Sequence, residues 1–71
     1  MEAVRRDSAA WCYEKSKEGC EFSVGPSRDG WSVMALPIQR SEDGKRVYVP
    51  GMFQTYSYSR EARLLETMPG L

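Results

Sequence analysis

Cys12 and Cys20 are the most reactive side chains in this chain of 71 residues, and no histidine accompanies them. Two thiols without imidazole leave a tetrahedral zinc site incomplete within one chain. Their separation is not that of a CxxC redox pair either. Nucleophilic catalysis by a thiol or hydroxyl leans on an adjacent base, usually histidine, and none is available. Glu18 with Glu21, and Glu42 with Asp43, are the nearest approach to paired carboxylates, but each pair falls in or beside a predicted surface loop, where solvated charge is the simpler reading. Gly25 and Gly30 are too far apart to cradle a phosphate, and they precede a strand instead of a helix. No enzymatic activity, metal or cofactor is therefore expected, and the cysteines read as small, buried or half-buried side chains.

A different set of residues suits recognition. Arg40, Lys45, Arg46 and Arg60 accompany Tyr48, Tyr56 and Tyr58 in the central and following stretch. Aromatic rings supply large contact area at low entropic cost, and arginine supplies a rigid fork of donors. In a strand Tyr56 and Tyr58 share one face, so the expectation is an outward, partner-binding face carrying these seven residues. Trp31 reads as core.

These residues need elements to hold them. Residues 1–8 are polar, with Val4 the single apolar anchor, and are expected to be a frayed end or arm. Between Ala9 and Val24 two readings compete. One is a short helix closed by Gly19; the other, favoured here, is a hairpin that sets Cys12 opposite Cys20 and Ala10 opposite Phe22. Residues 25–30 hold nearly every turn-forming type and must be a loop. From Trp31 to Ile38 the chain reads as a central strand, with Trp31, Val33 and Ala35 on one face and Met34, Leu36 and Ile38 on the other. Two apolar faces suggest a strand covered on both sides, and pairing on one edge should stop near Pro37 or pass through a bulge there. Asp43-Gly44 marks a turn into a return strand, Lys45 to Val49, with Val47 and Val49 inward. Met52 to Tyr58 resumes an extended pattern. Ser59 then stands where it would cap a helix whose apolar stripe is Ala62, Leu64, Leu65 and Met68. At about nine residues that helix is too short to stand alone and must pack on the sheet.

The expected fold is therefore α+β: a meander of three or four antiparallel strands with one C-terminal helix packed on it, forming a single domain. A domain of this size has a thin core, and a homodimer is one way to hide further apolar surface. Ten basic residues balance ten acidic ones, so no overall field steers the chain to nucleic acid or an anionic membrane. No apolar run suits a signal peptide or a membrane span, which points to the cytoplasm and to reduced thiols; export would instead allow Cys12 and Cys20 to pair.

From Asp29 onward the order of motifs resembles the three-stranded-sheet-plus-helix domain at the N-terminus of phage-type tyrosine integrases. Gly30-Trp31, Gly44-Lys45-Arg46, Phe53-Gln54-Thr55 and Glu61-Ala62 stand where that family has an aromatic strand, a basic turn, a phenylalanine-x-threonine and a helix start. The resemblance implies a sheet in the DNA major groove, with Arg40, Lys45, Arg46 and Tyr48 on bases or phosphates. Against this, the stretch from Ser27 onward holds six basic and five acidic residues, where such DNA binders are strongly basic. The favoured reading is a non-catalytic protein-binding module, an accessory or inhibitory protein of the kind phages carry, with DNA binding as the alternative.

Overall fold

Glu2 to Lys15 contains no glycine or proline, and it forms a helix, α1, in the computed structural model, which describes residues 2–70. Val4, Ser8 and Cys12 recur every fourth residue and are all buried, so they lie on one helical face. That stripe holds one valine, one serine and one cysteine, which is why it carries little hydrophobic signal. The Ser8 hydroxyl donates to the Val4 carbonyl at 2.5 Å, satisfying itself within the helix and letting serine serve as a small core residue. Residues 2–8, expected as a frayed end or arm, are thus the first half of a packed helix. Residue 1, part of the same expectation, lies outside the described residues.

Six strands follow: β1 (Cys20–Ser27), β2 (Gly30–Pro37), β3 (Gln39–Arg40), β4 (Arg46–Val47), β5 (Gln54–Ser59) and β6 (Leu64–Pro69). Four make an antiparallel sheet in the order β1-β2-β5-β6, while β3 and β4 pair separately as an arm inserted between β2 and β5. The expected C-terminal helix does not exist. The single helix of the described residues is N-terminal, and Leu64, Leu65 and Met68 belong to the edge strand β6. A helix of that length gains too little from its own hydrogen bonds, whereas β6 finds a ready ladder on β5. Ser59 does accept a hydrogen bond as expected, from the Arg63 amide at 3.2 Å, but it caps a turn. The favoured hairpin over residues 9–24 is likewise replaced by helix and strand, although Cys12 and Cys20 do meet.

Register places Phe22 opposite Ala35, Val24 opposite Val33, Val33 opposite Tyr56, and Trp31 opposite Tyr58. These residues share the inner face, over which α1 packs. Val4, Cys12, Val33, Ala35, Tyr56 and Tyr58 form the buried cluster, with Trp11, Cys20, Phe22 and Trp31 against it. Trp31 stacks on Tyr58 with ring centroids 5.0 Å apart. The two faces of β2 are divided as the alternation predicts; its pairing with β5 stops at Ala35, short of Pro37, while its pairing with β1 runs on through Pro37 to the Ile38 amide, and only one face receives a helix. Gly30 is where β2 crosses closest to β5: a Cβ there would lie 2.2 Å from the Tyr58 carbonyl oxygen, so no other residue fits.

A disulfide joins Cys12 of α1 to Cys20 of β1, with Cα atoms 5.5 Å apart. It replaces the expected free thiols. Gly19, at φ +81°, supplies the left-handed backbone that lets the chain turn from the helix into β1.

Candidate binding surface

The seven residues expected to form one outward face are divided among three places. Arg40, Lys45, Arg46 and Tyr48 stay together on or beside the arm. The Arg46 guanidinium contacts Glu21 of β1 at 2.7 Å and lies 4.7 Å over the Tyr48 ring. The Tyr48 hydroxyl donates to the same carboxylate at 3.2 Å. Arg40 reaches Glu18 at 2.7 Å and the Gly44 carbonyl at 3.1 Å. These contacts fasten the arm to the α1–β1 corner, so two of the expected ligand-binding cations are engaged within the chain. The hydrogen bond from Arg40 holds the Glu18 carboxyl below its ordinary range, and Glu18 in turn raises Arg40. Lys45 stands in solvent, 3.9 Å from Asp43, whose carboxyl is lowered by its bond from the Ser41 hydroxyl and then by the Lys45 amide. Tyr48 is 62% exposed.

Tyr56 and Tyr58 share a face as expected, but it is the inner one: they are 2% and 0% exposed. Their hydroxyls make this tolerable. The Tyr56 oxygen accepts from the Gln54 amide at 2.9 Å, and Tyr58 donates to Asp7 of α1 at 3.1 Å. Burial raises both phenols, Tyr58 more strongly because Asp7 also favours its protonated form. Arg60 is exposed in the β5–β6 turn, at the end of β5 away from Gln54 and the arm. Val47 and Val49, expected inward, are exposed on the arm, because β4 has one neighbour and no layer beneath it.

Other residues supply an apolar surface that the spacing did not reveal. On the outer face, Ser23, Met34, Thr55 and Met68 form one row across the four strands. Met34 is 37% and Met68 45% exposed. Serines 27, 32, 57 and 59 lie on the same face toward the β1–β2 turn, with Glu66 opposite Ser57. Met34 was legible as one side of a two-faced strand, whereas Met68 was assigned to a helix stripe and so was never placed beside it.

Comparison of the chain with protein-family models, with curated proteins and with solved structures finds no match. Among the described residues, no helix is long and apolar enough to cross a membrane.

Proposed function

We propose that this chain is a non-catalytic protein-binding module that acts through the outer face of its sheet, with Tyr48 and the arm at the margin. The observation that carries this reading is the two-methionine row on a sheet face that no helix of the described residues covers. Exposed methionine is an adaptable contact residue, and the small serines on the same face let a partner approach closely. Arg40 and Arg46, two of the cations a DNA-binding sheet would aim at phosphate, face carboxylates of the same chain, and the DNA reading is not carried forward. The Cys12–Cys20 bond supports an oxidising setting for the role, in place of the cytoplasm expected from sequence.

The test compares crosslinked partners of the wild-type protein with those of a Met34→Lys/Met68→Lys variant and of an Ala10→Lys control on the exposed side of α1. Partner recovery lost in the double variant and kept in the control supports the outer face. Equal recovery from all three, or from none, overturns it.

A further inference from the structure

The inner face also has an uncovered part. A helix about 10 Å across is narrower than four strands spaced about 4.8 Å apart, and α1 lies along β2. Beside it, toward β1, runs a groove of about 510 Å³ whose walls include Arg5 and Tyr13 from the helix and Phe22 from the strand. Val24, farther along β1 on the same face, is 55% exposed.

β1 ends the strand order, so its second edge has no strand partner among the described residues. Register fixes which backbone groups that edge presents. The Ile38 amide donates to the Gly19 carbonyl at 2.8 Å, continuing the β1–β2 pairing of odd with even residues. Alternation then turns the N–H and C=O of Cys20, Phe22 and Val24 away from β2. Pro26, next in this series, has no N–H to offer and ends the donor row.

We propose that two copies of this chain pair through β1, antiparallel about a two-fold axis at Phe22. Cys20 of each then meets Val24 of the other, and Phe22 meets Phe22. The result is one continuous eight-stranded sheet with both helices on the same side. Three observations select this occupant. The outward groups are self-complementary, since Cys20, Phe22 and Val24 are symmetric about Phe22. The groove walls carry Arg5 from the first half of α1 and Glu18, which also holds Arg40, from the corner where β1 begins; the two-fold operation carries Arg5 of each copy toward the Glu18 corner of the other. The apolar surface of Tyr13, Phe22 and Val24 is covered by its own copy, as an isologous interface requires. The other edge, β6, is less suited. The Gly70 amide donates to the Phe53 carbonyl at 2.8 Å, so Leu65, Thr67 and Pro69 face outward. Setting Leu65 opposite Thr67 places Glu66 against Glu66, a repulsive pair, and a further shift meets Pro69.

Sedimentation of the oxidised protein from micromolar to several hundred micromolar tests this, since the chain is 8.1 kDa and a dimer doubles that mass. Val24→Pro removes an outward N–H while leaving the β1–β2 ladder its bonds; it acts twice per dimer and should weaken association by at least about tenfold. Thr67→Pro, the equivalent change on β6, should leave it unaltered. Amide exchange of the wild type gives a readout free of any folding defect: the Phe22 and Val24 amides should be protected at high concentration and released on dilution, with Thr67 exchanging freely throughout. A wild type that stays monomeric, a dimer indifferent to Val24→Pro, or one lost in Thr67→Pro overturns the proposal. A monomer that still loses its partner in the Met34→Lys/Met68→Lys variant overturns the dimer alone and leaves the outer-face reading standing.

Discussion

Tyr58 shows how one residue type serves opposite readings. Its alternation with Ser57 and Ser59 correctly sets it on the same face as Tyr56, but alternation does not say which face meets the helix. On the inner face the Tyr58 hydroxyl donates to Asp7, fifty-one residues earlier, and no local pattern links the two. The bond gives a prediction. Tyr58→Phe should cost about 1.5–3 kcal/mol, because a half-buried carboxylate loses a donor, measured by urea unfolding at pH 7. The raised phenol fixes the sign of the alkaline response. A group whose folded pKa exceeds its unfolded value, here about 10, contributes stability that is complete below pH 10 and disappears as pH rises beyond it. Unfolding monitored from pH 8 to 12 should show a decline that Tyr58→Phe makes shallower, with Tyr56 supplying the remainder.

At the scale of elements, several of the chain's turns and strands were more legible than its helix, although the loop expected over residues 25–30 shrinks to Arg28-Asp29, with the rest in β1 and β2. Gly44 at φ +84° closes the arm where Asp43-Gly44 marked a turn, and Pro37 ends β2. The helix was obscured because its buried stripe is Val4, Ser8 and Cys12, while Leu64, Leu65 and Met68 offered helical spacing in a segment that pairs as a strand. β6 also departs from regular pairing, with a bulge opposite Ser57 and Tyr58, and the turn leading into it holds Ala62 at φ 64°. The arm is the element most open to perturbation, being tied down chiefly by Glu18 and Glu21. Glu18 is lowered by its partner, so its contribution is present above its ordinary pKa of about 4.5 and fades as pH falls below it. Glu21→Gln removes the carboxylate shared by Arg46 and Tyr48. Amide exchange at Val47, which pairs with Gln39, should accelerate in that variant while global stability changes by less than about 1 kcal/mol, as befits exposed ion pairs. Unchanged exchange on the arm would show that the backbone alone holds it.

For the whole molecule, the decisive long-range constraint is the bond between Cys12 and Cys20. The expected hairpin and the observed helix-strand corner both bring these cysteines together, so their proximity was legible where the element type was not. Closing a loop with a sequence separation of 8 should contribute about 2–3 kcal/mol by restricting the unfolded chain. In a domain this small, that corresponds to a fall in melting temperature on the order of 10–20 °C for the Cys12→Ser/Cys20→Ser variant, read by calorimetry. A melting temperature within a few degrees of the wild type would assign stability to the packing of α1 alone.

The two outer strands also bear on how the proposed dimer would behave when crowded. If β1 of one molecule bonded to β6 of the next, nothing in that head-to-tail contact would stop repetition, and growth would continue in one dimension as a filament. Pro26 on β1 and Pro69 on β6 each stand where an outward amide is due, and each shortens the row that a neighbour can follow. In the two-fold assembly both β1 edges are consumed and the exposed rims are two copies of β6, matched only to each other and kept apart by Glu66. Strand pairing in the proposed dimer would then terminate at two molecules, and a sheet that presents apolar side chains along its rim would stay soluble at concentration without polymerising.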